Sequence, residues 1–285
     1  MRILYCLLLL GLCGSLRANE IDQLRTKEEV KVFLVKRVDK KYKGEVFEGT
    51  PPDTNGYGHR FFTFDVDGNG LTDLVVNDTY LFIVFDEGRK GYVVREPGGR
   101  KHDFHRTELV GIDSSVLPLR LVVGQEKYSG RRQDPPGYRK DTVVFYSGDF
   151  IEFNDRPDTA LELQEIKVRT NHCFGSCPIF EMAVDGKGAA RYHAIEFNKE
   201  EGLYTGTVPT GEFATMMGVL RYLPLQKLDS SYTVDWTDDQ TIELEIRYKG
   251  GVKRIVDYGE VGSYGLIRLY GFFFRWKELV KWEAE

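Results

Sequence analysis

The sequence predicts an α+β protein, in which a β-rich unit is followed by an antiparallel sheet with two packed helices. Three observations predict it. Runs of β-branched and aromatic residues bounded by Gly, Asp and Asn dominate the first half, which is the signature of strands and turns. The second half orders four strand-like runs, a helical run, two more strand-like runs and a last helical run. That order places helices on one face of an antiparallel sheet. At 41% hydrophobic and 13% aromatic residues, the chain has ample material for a core.

Taken in order, VKVFLVKRV at 30–38 is a strand candidate. RFFTF at 60–64, DLVV at 73–76, YLFIVF at 80–85 and GYVVRE at 91–96 follow with short turns between them. LRLVVG at 119–124 and DTVVFYSGDFIEFN at 141–154 continue the pattern, the latter split by a turn at Ser147-Gly148-Asp149. The polar stretch 127–141, centred on Pro135-Pro136-Gly137, reads as an exposed loop. NDRPDT at 154–159 reads as a linker. Beyond it come strand candidates at 162–170, 178–184, 190–197 and 203–208, with Asp185-Gly186-Lys187-Gly188 as a hairpin turn. In TGEFATMMGVLRYL at 210–223, Phe213, Met216, Met217 and Leu220 recur at helical spacing, with Thr210 placed to cap. TIELEIRY at 241–248 alternates strictly, Lys249-Gly250-Gly251 turns the chain, and VKRIVDY at 252–258 returns. A helix is expected over 263–283, with Ser263 as its cap. The expected organisation is a signal peptide at 1–18, a β-rich domain at 19–156 and an α+β domain at 160–285.

The opening MRILYCLLLLGLCGSLRANE supports the first of these. Arg2 supplies a positive start, Ile3 to Leu12 an apolar stretch, and Leu16-Arg17-Ala18 a cleavage site. The apolar run is shorter than the roughly 20 residues that span a bilayer, and no later segment is long and apolar enough to be a transmembrane candidate. Export to the periplasm or the extracellular space is the expectation. Lipid attachment at Cys13 ranks below simple cleavage, because Leu12 sits where a small residue is needed. Losing Arg2 and Arg17 takes the basic count from 39 to 37 against 44 acidic residues, a net charge near −7. That balance argues against nonspecific nucleic-acid binding.

The most chemical stretch is DVDGNGLTD at 65–73. Numbered from Asp65, positions 1, 3, 5 and 9 are Asp65, Asp67, Asn69 and Asp73. Position 7, Leu71, offers its backbone carbonyl, and Gly70 at position 6 permits a left-handed turn. Alternate hard oxygens on a glycine-rich loop suit calcium, which takes six to eight of them. The loop is not an EF-hand, because position 12 is Val76 rather than Glu and the flanks are strands. FDVDGNGLTDLVV resembles the calcium loop of FG-GAP or VCBS repeats over residues 60–86. The pattern occurs once, so the loop carries over and the propeller does not. The resemblance implies one structural calcium ion.

RTNHCFGSCPIFEMAV at 169–184 holds Cys173 and Cys177, the two cysteines left after cleavage removes Cys6 and Cys13. Three readings stay open. In an exported protein the pair forms a disulfide. The Cys-x-x-x-Cys-Pro arrangement also resembles copper-chaperone and thioredoxin-like proteins, although those cysteines open a helix and here a strand follows Pro178. A zinc site needs about four ligands, and His172 alone lies nearby. This stretch, with SSYTVDWTDDQT at 230–241 and DYGEVGSYGL at 257–266, resembles a bacterial secreted domain family of unknown function over 162–283. Tyr232, Thr237 and Asp238 match its Tyr-x-x-x-x-Thr-Asp segment. No reaction comes with that resemblance.

Other patterns are weaker. Tyr232, Trp236 and Asp238, beside Asp235 and Asp239, form a candidate ligand site, since carboxylates beside aromatics hold sugars or do acid–base work. His102 and His105 have poor metal spacing, Asn77-Asp78-Thr79 is a glycosylation acceptor, and no nucleophile elbow or phosphate loop exists. The expected function is an exported, non-catalytic binding or envelope-associated protein, with a glycan or an envelope protein as partner. The alternative is a secreted enzyme, either a hydrolase using the 235–239 carboxylates or a thiol or copper redox protein using Cys173 and Cys177.

Overall fold

The computed structural model describes residues 19–43, 46–47, 60–78, 81–97, 107–127, 137–234 and 236–285. The expected signal peptide, Cys13 and the His102/His105 pair lie outside them.

The stretch 30–38 is helical, not extended. α1 spans Lys27–Phe33 and runs into a π-helical turn at Leu34–Val38. The cause is local. Thr26 Oγ1 accepts from Glu29 N, and the Glu29 carboxylate accepts from Thr26 N, which makes a capping box. Val30, Phe33 and Leu34 then share one buried face, while Val32 is 50% exposed. The β-branched composition misleads because only one of the two valines near the start of the run is in the core.

β1 (Arg60–Phe64), β2 (Asp73–Asn77), β3 (Leu81–Asp86) and β4 (Tyr92–Arg95) form an antiparallel meander. β5 (Thr107–Asp113), β6 (Arg120–Lys127), β7 (Gly137–Tyr146) and β8 (Asp149–Glu152) form a second. β5 has no counterpart in the sequence reading; its pairing shifts register between Leu109 and Gly111. The loop expected at 127–141 is shorter, because β6 and β7 extend into it from both ends. Its Pro135-Pro136 tip lies outside the described residues.

Val75, Ile83 and Phe85 of the first meander face Leu121, Val143 and Phe150 of the second in one core. On the other face, Leu74, Val76, Phe82 and Val84 pack on Val30, Phe33 and Leu34. β2 and β3 are therefore buried at every position, as strands covered on both faces are.

The second half keeps the expected order: β9 (Leu163–Thr170), β10 (Ile179–Asp185), β11 (Ala189–Glu196), β12 (Gly202–Thr207), α2 (Thr210–Tyr222), β13 (Ser231–Thr233), β14 (Thr241–Tyr248), β15 (Gly251–Tyr258), α3 (Tyr264–Leu279) and β16 (Glu283–Ala284), with the two short strands β13 and β16 added to it. All the strands join one sheet of order β13-β15-β14-β9-β10-β11-β12-β16, antiparallel except for the parallel β13–β15 pair. Ile242, Leu244 and Ile246 of β14 point into the core while Glu243 and Arg247 face out. Met216, Val219 and Leu220 of α2 and Leu266, Leu269, Phe273 and Trp276 of α3 cover that inner face.

Ser263 Oγ caps α3 by accepting from Leu266 N at 3.3 Å. Thr210 does not cap α2. Phe213 N donates to Pro209 O at 2.9 Å, so the first turn closes one residue earlier and Thr210 is already helical. α3 stops at Leu279 rather than 283, and the residues beyond it add β16.

The two halves meet at the start of α3. The Glu152 carboxylate accepts from Tyr264 N and, at 3.0 Å, from Gly265 N, an anion at the positive end of a helix. Tyr264 itself is buried in the core of the first half. Arg268 pairs with Asp149 at 3.4 Å, and Asn154 Nδ2 donates to Tyr222 O at 2.6 Å. Among the described residues no helix is long and apolar enough to cross a membrane.

Candidate metal centre

The loop 65–72 joins β1 to β2, so strand pairing fixes both its ends: Phe64 opposes Asp73. Gly68 and Gly70 adopt φ of +77° and +83°, which folds the chain back on itself. Asp65 then accepts from Gly68 N through Oδ1 and from Gly70 N through Oδ2, both at 2.9 Å. Asp67 Oδ1 accepts from Asn69 N at 3.0 Å. Asn69 Oδ1 accepts from Leu71 N at 2.7 Å, and its Nδ2 reaches Asp86 O at 2.9 Å. Asp73, fully buried, accepts from Asp86 N at 2.9 Å and Val66 N at 2.8 Å.

The result is an acidic cluster. One carboxylate oxygen from each of Asp65, Asp67 and Asp73 lies within 4.8 Å of the other two. Among the described residues, no basic side chain forms an ion pair with them. Burial pushes the Asp73 carboxyl up to about 7, opposed by the amides of Asp86 and Val66 and reinforced by the charges of Asp67 and Asp65. Asp67 is raised too, chiefly by burial. Crowded carboxylates of this kind resist ionising unless a cation joins them. The donor set is all oxygen, which suits a hard divalent ion and not a soft one.

Of the five expected ligands, the structure brings the three aspartates together. Asn69 also ties the loop to β3 through its Nδ2, and Leu71 is half-buried. Asp86, absent from the sequence reading, holds the loop from the neighbouring strand through both its amide and its carbonyl. Asn77 is buried, with Oδ1 accepting from Leu109 N at 2.8 Å, a site closed to a glycan.

Cys173 and Cys177 are joined by a disulfide, with Cα atoms 5.9 Å apart, in the turn between β9 and β10. Phe174 at its tip is 87% exposed, yet its amide donates to Asp238 O at 2.8 Å. Gln240 Nε2 reaches Asn171 O at 2.9 Å and Pro178 O at 3.0 Å. The disulfide turn and the 236–240 segment are thus one unit. His172 sits 4.0 Å from Glu196.

The side chains of the second candidate site are engaged locally. Tyr232 Oη accepts from Asp229 N at 3.0 Å, and Trp236 Nε1 donates to Asp239 Oδ2 at 2.5 Å. Thr237 Oγ1 donates to Asp238 Oδ2 at 3.0 Å, and Asp238 adopts φ of +76°. Asp235 lies outside the described residues.

Fold and site together define an α+β protein whose first half presents an acid-lined loop and whose second half is a disulfide-stapled sheet backed by two helices. Residues 164–276 match the model of a family described as a domain of unknown function, DUF6438. The match takes in the disulfide turn, the 236–240 segment and most of α3, and leaves out the acidic loop. No curated protein and no solved structure matches the chain.

Proposed function

We propose that this is an exported, non-catalytic binding protein, envelope-associated, in which calcium clips the first half and the disulfide staples the second. The observation that carries it is the convergence of Asp65, Asp67 and Asp73 around a point with no basic partner among the described residues. Asp65, Asp67 and Asp73 would supply carboxylate oxygens, with Asn69 and the Leu71 carbonyl completing the loop. Their part is structural: an ion that binds only the folded state stabilises it by mass action, by about 2.7 kcal/mol at a hundred times Kd. The opening signal-type segment and the cysteine pair support export.

Thermal melting of the protein with calcium and then with a chelator tests this. The melting temperature should rise with calcium and fall back with the chelator. Equal melting curves, together with no bound metal by elemental analysis, would remove calcium from the account.

A further inference from the structure

Where the linker leaves the first half, it faces the turn after α2 across a cleft of about 460 Å³. That size lies within the roughly 300–1,000 Å³ of small-molecule sites, which concentrate where structural units meet. The floor is apolar: Leu161, Leu223 and Leu225 line it and are 4%, 2% and 5% exposed. The linker wall carries Asp155, Arg156 and Asp158, and the wall formed by the turn after α2 carries Lys227.

Both walls are held in place. Asp158 N donates to Arg221 O at 2.8 Å, and Gln226 Nε2 donates to Tyr248 Oη at 2.6 Å. Asp158 Oδ1 accepts from Ala160 N at 3.1 Å, which orients the carboxylate and leaves Oδ2 for a ligand. The exposed Arg156 sits 4.0 Å from Asp155 and offsets its charge, so Asp158 is the stronger anion of the pair.

We propose that this cleft binds a short apolar peptide of dipeptide size with both termini free. Its ammonium meets Asp158, its carboxylate meets Lys227, and its side chains cover the three leucines. An uncharged apolar ligand leaves both wall charges unmatched, and a polar zwitterion leaves the floor wet. This deepens the binding reading above by naming a ligand class, and it does not depend on calcium.

Calorimetric titration of the full chain with leucyl-leucine is the test, with free leucine, glycyl-glycine and N-acetyl-leucyl-leucinamide as controls. Leucyl-leucine should bind, with amide chemical-shift changes confined to the linker and the turn after α2. Free leucine and glycyl-glycine should bind more weakly, and the capped analogue should lose affinity because both its charges are gone. Asp158→Asn keeps the acceptor for Ala160 N, and Lys227→Met keeps the apolar stem. Each should weaken binding about two- to fivefold, the worth of an exposed ion pair, and the double variant by the product. No binding at millimolar leucyl-leucine, equal binding of glycyl-glycine, or unchanged affinity in both variants would overturn the proposal. Peptide binding without a calcium response would defeat the calcium clip and leave this site standing.

Discussion

Two turns in this molecule are closed by opposite means. At 65–73 three carboxylates are gathered, one of them fully buried, and backbone amides together with the Asn69 side-chain amide oppose their repulsion. At 173–177 the chain is closed covalently, and the neighbouring 236–240 segment is hydrogen-bonded onto it. The first turn gathers negative charge around a buried carboxyl that burial pushes up to about 7, whereas the second is closed by a covalent bond. The contrast extends to the units around them. The acidic turn ends a small sheet whose strands need cover from α1 on one side and a second sheet on the other. The disulfide turn decorates an eight-stranded sheet whose core already includes Trp276, Phe272 and Phe273.

The largest expected effect tests the acidic turn. Asp73→Ala removes the acceptor of two backbone amides, Val66 N and Asp86 N, in a buried place. Leaving both unsatisfied costs about 3–5 kcal/mol, and the calcium-dependent rise in melting temperature should vanish with it. Denaturant unfolding followed by tryptophan fluorescence measures the first, and melting with and without calcium measures the second. A variant that unfolds like the native chain would show that the buried carboxylate is not what holds this turn.

The disulfide should matter less. Replacing Cys173 and Cys177 with serine reopens a short loop, worth about 2 kcal/mol on the chain-entropy account. Gln240 and the Phe174 amide still pin the segment. The calcium response should survive this change, because the acidic turn lies in the other half. Loss of that response in the serine variant would break the comparison, since the two turns would then be coupled through the contacts at the start of α3.

The same contrast explains what could be read from the residues beforehand. Strict alternation in TIELEIRY and continuous apolarity in YLFIVF report how many faces of a strand are covered, so β14 and β3 were legible. The acidic loop was legible because its residues are consecutive. Asp86 was not, because β2–β3 pairing brings it beside Asp73 across a hairpin. The helix at Lys27–Phe33 carried its signal in Thr26 and Glu29, two residues that outweigh the β-branched run behind them. β13 is three residues long and pairs parallel with β15, so neither a turn nor a period marks it. The junction cleft draws on the linker, the turn after α2 and Tyr248, which no local pattern brings together.

The smallest expected effect sharpens the comparison with a second buried acid. Asp257, fully buried in β15, accepts from Val261 N at 2.8 Å and Gly262 N at 2.9 Å. Burial raises its carboxyl above 3.8; those two amides and the Tyr270 hydroxyl oppose the rise, and the Glu260 charge adds to it. A carboxyl raised on folding favours the protonated native state. Its contribution is complete below the unfolded value and is lost as pH rises through the folded one. The stability of the native chain relative to Asp257→Asn should therefore fall as pH rises through that window, by no more than about 1.4 kcal/mol per pH unit. Urea midpoints of both proteins across that window measure it. A difference that grows with pH would mean that the amides and Tyr270 win over burial. Asp257 would then be a stabilised anion, unlike Asp73, whose carboxyl burial pushes up to about 7.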